Sequence, residues 1–264
     1  MRETIERLVP GRAGIEQEVI EAMHRYAYAM LADFAGRRDR VLEIGFGEGY
    51  GSAMLAGVVG EYVGIEVDRA AVEHASRVYA RPGASFLHYD GSRLPFDSGS
   101  FDVVFAFQVL EHVVDAGAFL QEARRVARPD GQVLIVTPNR THRVRDGERP
   151  WNRYHVREYS PEELEALMRS VFPSVDLYGI VGSHTMNEIE RRRVQRARRL
   201  ARIDRLGLRY HLPGVLDHSL RALLRRLGSA SPSPEPGEVS IERVRRVTDG
   251  IEEALDLLAV ATCG

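Results

Sequence analysis

The chain has 264 residues, of which 44% are hydrophobic and 28% charged, and its formal net charge is −2. This composition is typical of a soluble globular protein with one large core, and the charge excludes a global attraction to nucleic acid. We expect no membrane span, because no apolar run approaches the roughly 20 residues that cross a bilayer. The polar N-terminal residues and the single cysteine, Cys263, predict a cytoplasmic protein without a signal peptide or an internal disulfide.

Apolar periodicity predicts an amphipathic helix over 14–34, followed by strands and helices in alternation. In chain order these are strand 41–44, helix 50–57, strand 62–66, helix 69–79, strand 85–88, strand 102–107, helix 116–127, strand 132–137, helix 161–170 and strand 175–181. A turn is predicted at 129–131. Alternating strands and helices predict a parallel, doubly wound α/β sheet with right-handed crossovers.

The alternation stops after residue 182. An arginine-rich stretch, 187–226, is predicted to be helical, and a loop of serine, proline and glycine follows it. A last apolar run, 255–261, predicts a final strand beside strand 175–181. The predicted organisation is therefore a core of 1–182, an insertion of 183–238 and a return to the core over 239–264.

The segment 41–51 is the most informative part of the chain. Its apolar run contains the acid Glu43 and then breaks into alternating glycines, Gly45, Gly47 and Gly49. Such a run predicts a buried strand that ends in a tight turn, where the backbone touches a ligand. Glu66 ends the next predicted strand, where a nucleotide-binding βαβ unit places a carboxylate for the ribose hydroxyls.

The charge of the residues around the glycine turn distinguishes between two candidate nucleotides, NAD and S-adenosylmethionine. The dinucleotide pattern would need a glycine at position 50, which is Tyr50, and the acids Glu43 and Glu48 would repel a diphosphate. S-adenosylmethionine has no phosphate and carries a sulfonium and an ammonium group. We therefore favour this methyl donor over NAD.

Further segments carry a family resemblance. Residues 90–96, 100–104, 109–113 and 125–131, together with the glycine turn, resemble motifs of the class I S-adenosylmethionine-dependent methyltransferases, in the broad type 11 group. The resemblance covers about 38–182 and the last strand. It implies a Rossmann-like fold with a mostly parallel seven-stranded sheet, here with a helical insertion before the last strand.

The resemblance also implies donor-binding residues near the glycine turn. Glu43 and the backbone of Gly45, Gly47 and Gly49 would hold the methionine and ribose part of the donor. Glu66 would accept both ribose hydroxyls. The alternative for Glu43 is an acid at a strand end that is satisfied within the protein.

The adenine and ammonium groups of the donor would meet later residues. The resemblance implies that Asp90 accepts from the adenine amino group and that Val67 and Ser92 lie beside the ring. A carbonyl of Phe107 or Gln108 would accept from the α-ammonium group. The alternative for Asp90 is a residue that only begins the following turn.

Candidates for the acceptor side follow the predicted strands four and five. A base is needed when the acceptor is a hydroxyl, and His112, His142 and His155 are the candidates. His155 is preferred for acceptor binding or proton removal because it lies in the aromatic and polar stretch 151–159. A structural hydrogen bond is the alternative for His112, and a packed loop is the alternative for the stretch. No metal site is predicted.

The sequence therefore predicts a methyltransferase that acts on a small-molecule or glycan acceptor, with O-methylation preferred, and releases S-adenosylhomocysteine. A non-catalytic binding module and an NAD-dependent oxidoreductase are the alternatives. Nucleic acid is not favoured as a partner, and the arginine run 191–205 is interpreted as part of an acceptor lid. The oligomeric state stays open, with a homodimer among the options.

Overall fold

The structure is a computed structural model and describes residues 14–144, 148, 150–152, 154–203 and 237–264. The strands are β1 (Arg40–Ile44), β2 (Glu61–Glu66), β3 (Ala84–His88), β4 (Phe101–Phe107), β5 (Ala127–Pro138), β6 (Ser174–Val181), β7 (Arg245–Val247) and β8 (Asp256–Thr262). The α-helices are α1 (Ile15–Met30), α2 (Gly51–Met54), α3 (Arg69–Val78), α4 (Ala116–Val126), α5 (Arg140–Arg143), α6 (Pro161–Arg169) and α7 (His184–Ile203).

Within the described residues the strands form one sheet in the order β3-β2-β1-β4-β5-β8-β6-β7. Strands β1 to β5 pair in parallel, whereas β8 is antiparallel to both β5 and β6, and β7 is antiparallel to β6. The predicted doubly wound α/β fold is confirmed. The carboxyl ends of β1, β2, β3 and β4 all lie at one edge of the sheet, which is where such folds bind ligands.

Helices cover both faces of the sheet, and the central strands supply side chains to both layers. In β4, Val103 and Phe105 pack into the layer with α1, α3 and the start of α7, whereas Val104 and Ala106 pack into the layer with α4 and α6. This alternation follows from the two-residue period of a strand. Both layers are apolar, so the central strands are buried on both sides.

Local sequence signals fix the ends of several elements. Ser160 and Glu163 form the predicted capping box of α6, with Pro161 at its first position. Asp68 caps α3 by accepting from the Ala70 amide at 2.8 Å. The Asp68 cap places the first turn of α3 directly after the end of β2, next to Glu66.

The structure differs from the sequence prediction in four places. The helix predicted over 50–57 is shorter, since α2 covers only Gly51–Met54. The sheet has eight strands rather than seven, because β7 has only three residues and is too short to give a periodic signal. The predicted turn at 129–131 lies within β5: Phe101 pairs with Ala127 and Val103 with Gln132, so the register shifts through a bulge. The structure also has a short helix, α5, for which no pattern was recognised.

The predicted insertion is described only in part. Helix α7 covers 20 of its residues, His184–Ile203, and residues 204–236 lie outside the described part of the chain. In the part that the structure describes, no helix is long and apolar enough to cross a membrane.

Candidate functional site

The glycine turn after β1 has a backbone that only glycine adopts easily. Gly45, Gly47 and Gly49 have φ values of 79°, 58° and 81°. A Cβ at Gly45 would lie 2.6 Å from Val109 Cγ2, whereas a Cβ at Gly47 would have no protein atom within 4 Å. The turn is therefore closely packed at its start and open at Gly47, as a ligand cradle requires.

Glu66 joins the end of β2 to this turn. Its Oε2 accepts from the Gly47 amide at 3.0 Å, and its Oε1 accepts from the Val67 amide at 2.8 Å and the Asp68 amide at 3.2 Å. The carboxylate thus lies at the open part of the turn and is held by backbone donors. This is the predicted position for an acceptor of ribose hydroxyls.

Asp90 and Val67 lie at the exposed rim of the same edge. Asp90 Oδ1 accepts from the Ser92 amide at 2.9 Å and from the Ser92 hydroxyl at 2.5 Å, and these bonds lower the pKa of Asp90. Val67 has 52% of its surface exposed. Gly91 lies beside it, since a Cβ there would be 3.4 Å from Val67 Cγ1. Together with the glycine turn and Glu66, we call Val67, Asp90 and Ser92 the donor side.

Glu43 lies beneath the turn and is only 1% exposed. Its Oε1 accepts from the Tyr28 hydroxyl of α1 at 2.5 Å, and its Oε2 accepts from the Tyr62 hydroxyl of β2. Burial raises the pKa of Glu43 to about 7, although the two tyrosine hydroxyls act in the opposite direction. Both oxygens are thus satisfied within the protein, as the alternative interpretation expected, and contact with the donor stays a prediction.

Gln108 has a strained backbone at the end of β4. It has a φ of 58° and is the one non-glycine residue with positive φ in the described ranges. Its amide donates to the Val136 carbonyl at 2.7 Å, and its side chain donates to the partly buried Asp256 of β8. Burial raises the pKa of Asp256 to about 6. Phe107, the other residue whose carbonyl was predicted to accept from the α-ammonium group of the donor, is buried.

Two of the three predicted histidines lie close together near the carboxyl end of β4. The rings of His112 and His155 meet edge to face with centroids 4.9 Å apart. Glu111 lies beside them, 1% exposed, and one ligand atom from each of these three residues lies within 4.8 Å of the others. We call Glu111, His112 and His155 the acceptor side.

Glu111 was missed by the sequence reasoning, although an acid in the apolar run 109–113 could have signalled it. Its Oε2 accepts from the Thr137 hydroxyl at 2.9 Å, and its carbonyl accepts from the amides of Val156 and Arg157 at 2.8 and 3.2 Å. Burial raises the pKa of the Glu111 carboxyl to about 8. The loop 154–157 is thereby fixed against the end of β4.

A chain of buried ion pairs supports His155. Its Nδ1 donates to Glu158 Oε1 at 2.7 Å, and Arg143 bridges Glu158 at 3.1 Å to Glu190 of α7 at 3.2 Å. Burial lowers the pKa of His155 although Glu158 opposes this, and Arg143 and His155 keep the pKa of Glu158 low despite its burial. The guanidinium groups of Arg143 and Arg193 lie 5.1 and 5.5 Å from the Trp151 ring centroid.

His142 is not part of this cluster. It lies on α5, and its Nε2 is 3.7 Å from Glu253 Oε2, beyond hydrogen-bond distance. The sequence prediction placed it with the other two histidines because all three follow strands four and five. The short helix α5 instead directs it toward the segment before β8.

Most described arginines of the predicted lid are paired with acids. Arg191 contacts Glu253 at 2.6 Å and Arg198 contacts Glu148 at 3.2 Å, while Arg193 pairs with Glu190 and Arg196 with Glu16 of α1. The pairs with Glu253, Glu148 and Glu16 tie α7 to other segments of the protein, whereas Arg193 and Glu190 pair within α7. They favour a structural role for the described part of the run over a free anion-binding face.

The fold and the donor side define a class of protein. A parallel sheet with an open glycine turn, an acid at the end of the second strand and no basic residue at the turn suits a cationic nucleoside donor better than a diphosphate. The open space at Gly47 and the carboxylate of Glu66 fit S-adenosylmethionine.

Comparisons with known proteins identify the family. The family described as a methyltransferase domain matches residues 42–135. A probable S-adenosylmethionine-dependent methyltransferase of Mycolicibacterium smegmatis is 36% identical over 190 residues, which are 72% of each chain. The chain therefore belongs to the S-adenosylmethionine-dependent methyltransferases; it is an enzyme, and S-adenosylmethionine is its cofactor. This outcome favours the methyltransferase prediction over the two alternatives.

More distant relatives differ in the acceptors that their names state. A phthiotriol/phenolphthiotriol dimycocerosates methyltransferase of Mycobacterium ulcerans is 30% identical over 48% of each chain. The chloroplastic tocopherol O-methyltransferase of Arabidopsis thaliana is 31% identical over 48% of this chain and 38% of that enzyme. A solved methyltransferase in complex with the Haloferax volcanii activator Trm112 has a TM-score of 0.57 and 16% identity, with 94% of this chain and 92% of that chain covered. This last similarity shows the fold alone.

Proposed function

We propose that this methyltransferase transfers the methyl group of S-adenosylmethionine to a hydroxyl oxygen of a small-molecule or glycan acceptor. The observation that carries the proposal is the contact between His112 and His155 at the end of β4. A hydroxyl is a weak nucleophile that must lose its proton during transfer, and imidazole side chains are suited to assist that loss. A relative named as a tocopherol O-methyltransferase supports an oxygen acceptor.

The donor would lie across the open glycine turn. We propose that Glu66 accepts from the ribose hydroxyls and that Asp90 accepts from the adenine amino group. Val67 would pack against the adenine ring, and Ser92 would lie beside the ring. The methionine part would meet Glu43 and the backbone of the turn. Its ammonium group would meet a carbonyl of Phe107 or Gln108.

When bound, the donor supplies a methyl carbon that the sulfonium has already activated. The protein then contributes mainly position and water exclusion, since charge disperses in the transition state. His112 and His155 would orient the acceptor hydroxyl and assist its loss of a proton. His142 has no assigned role, because it lies with Glu253 instead.

Calorimetric titration with S-adenosylhomocysteine tests the donor side. We expect Glu66→Ala to weaken binding about 10- to 100-fold, because hydrogen bonds to a charged group contribute roughly 1.5–3 kcal/mol. Glu73→Ala removes an exposed acid from α3 and is the matched control, with binding like the parent. Equal affinity of both variants would contradict the assignment of Glu66.

Transfer of a labelled methyl group tests the acceptor. The protein is incubated with labelled donor and a panel of phenols, oligosaccharides and primary amines, and products are located by mass spectrometry. We expect methylation of a hydroxyl that is lost in His155→Ala while donor binding persists. Methylation of amines alone would overturn the oxygen assignment. Donor binding without transfer to any of the panel would favour the non-catalytic alternative for this chain.

The proposed function extends to the organisation of the chain and to the location of the protein in the cell. We propose that 183–238 is an insertion between the core of 1–182 and its return at 239–264, and that the arginine run 191–205 within it is part of an acceptor lid. The antiparallel pairing of β6 with β8 supports it, since these two strands flank the insertion. A cytoplasmic location is supported by the one cysteine, Cys263, which is a buried free thiol.

A further inference from the structure

We propose that Glu111, His112 and His155 form a binding site for a divalent first-row transition-metal ion. One carboxylate oxygen and two imidazole nitrogens lie within 4.8 Å of one another. Two histidines with one carboxylate are a ligand set of catalytic zinc and non-haem iron sites, which keep further coordination positions open. The sequence analysis predicted no metal site, because His155 lies far from the other two residues along the chain.

Each imidazole ring has a hydrogen-bond acceptor at its Nδ1, as metal-ligating histidines usually have. The Nδ1 of His112 lies 3.1 Å from the Tyr154 carbonyl oxygen, and the Nδ1 of His155 lies 2.7 Å from Glu158 Oε1. Since a carbonyl and a carboxylate can only accept, each Nδ1 carries a proton, and in the neutral imidazole Nε2 is then the nitrogen with the lone pair that a metal ion takes. Ligating histidines typically donate their second ring nitrogen to a carbonyl or carboxylate in this manner.

The third ligand is held in a similar way. The Thr137 hydroxyl of β5 donates to Glu111 Oε2 at 2.9 Å, and a hydrogen bond to a ligating carboxylate is a common supporting contact. The backbone of Glu111 also fixes the loop that carries His155, through the amides of Val156 and Arg157. Ligands from two segments are thus locked to one another before any ion binds.

The surrounding charges accommodate a cation. Glu111 supplies one carboxylate to the ion directly, and Glu158 supplies a second behind His155. Arg143 is bridged to Glu158 at 3.1 Å and to Glu190 at 3.2 Å, and Arg193 also pairs with Glu190. The two guanidinium groups are thus matched by two acids, and Arg143 contacts Glu158 rather than the three ligands.

An ion at this position would deepen the proposed function, and this step rests on that function. The cluster is the acceptor side, so an ion there would bind an oxygen-containing acceptor and make its hydroxyl more acidic. In that case the two histidines activate the hydroxyl as ligands of the ion. Metal binding itself requires neither donor nor acceptor, so it can be measured alone.

The test uses the chelator-treated, tag-free full chain. Zn²⁺ is titrated against a chromophoric chelator, and Co²⁺ is titrated while visible absorption is recorded. We expect one ion per chain and a Co²⁺ spectrum of nitrogen and oxygen ligands. Glu111→Gln and His112→Ala should weaken Zn²⁺ binding at least about tenfold, the lower end of what loss of a supporting residue costs. His184→Ala removes an exposed histidine from α7 and should bind as the parent does.

X-ray absorption at the zinc edge of the parent gives a reading that does not depend on variants folding. Two imidazole ligands at about 2.0–2.1 Å would support the site. No uptake of one ion per chain, an absorption spectrum without imidazole, or equal binding by the parent and both cluster variants would overturn it. Donor binding separates the two proposals: His112→Ala should lose Zn²⁺ and keep S-adenosylhomocysteine, while Glu66→Ala should do the reverse.

Discussion

The donor side and the acceptor side are built in different ways. The donor side uses backbone groups, such as the Gly47 amide that donates to Glu66, 19 residues away. The acceptor side uses side chains from separate segments, supported by an ion-pair chain in which Arg143 reaches Glu190, 47 residues away. The difference indicates that the proposed donor side depends mainly on backbone geometry, whereas the acceptor side depends on charges placed by tertiary structure.

The largest effect should come from breaking the ion-pair chain of the acceptor side. Arg143→Ala removes the guanidinium that bridges the buried acids Glu158 and Glu190, which leaves Glu158 with His155 and Glu190 with Arg193. Removing one partner of a buried pair costs about 3–5 kcal/mol. Urea unfolding should therefore show a much lower free energy of unfolding for this variant.

The control for Arg143 lies on α7. Arg192 contacts Glu188 at 3.6 Å, and both side chains are more than one third exposed. Arg192→Ala should change the free energy of unfolding by less than about 1 kcal/mol. Similar losses for both variants would show that burial does not distinguish the acceptor-side pairs from surface pairs.

Glu43 sharpens the comparison, because this acid beneath the donor side also depends on a distant element. Tyr28 of α1 and Tyr62 bond its carboxyl, Glu66 lies near it, and burial raises its pKa from 4.5 to about 7. An acid whose pKa is raised on folding contributes stability that is present below its unfolded pKa and lost as pH rises through its folded pKa. The loss should therefore fall between pH 4.5 and 7 and be on the order of 3 kcal/mol.

Urea unfolding at pH 5 and pH 8 measures this loss. Glu43→Gln keeps the shape of the side chain and cannot ionise, so its free energy of unfolding should decrease less between the two pH values than that of the parent. Parallel pH profiles for parent and variant would mean that Glu43 does not ionise in this range in the folded protein.

Gly47 tests whether the open part of the turn is where the donor lies. Gly47 and Gly57 both have positive φ, and a Cβ at either would meet no protein atom within 4 Å. Alanine at either position should therefore cost a similar backbone strain, roughly 1–2 kcal/mol in the free energy of unfolding. Only Gly47→Ala should weaken S-adenosylhomocysteine binding, by about tenfold or more. If calorimetry finds equal affinities for the two variants, the donor does not approach this backbone.

The contrast between local contacts and contacts placed by tertiary structure explains how much could be predicted from the sequence. The parallel strands and the glycine turn were predictable because apolar runs and glycines are local signals. The two tyrosines that bond Glu43 were not, because they belong to other elements. The cluster of Glu111 with two histidines and the chain through Arg143 depend on how the loop 154–159 and α7 pack. The three-residue strand β7 carried no pattern at all.

The smallest effect should come from Val67, which probes the rim of the donor side without disturbing the fold. Val67 and Val78 are both 52% exposed, so serine at either position should leave the free energy of unfolding nearly unchanged. If the adenine ring covers Val67, Val67→Ser loses roughly half the value of burying a valine, about 1 kcal/mol, or roughly fivefold in affinity for S-adenosylhomocysteine. Val78→Ser should bind like the parent. An unchanged affinity in Val67→Ser would place the adenine ring away from Val67.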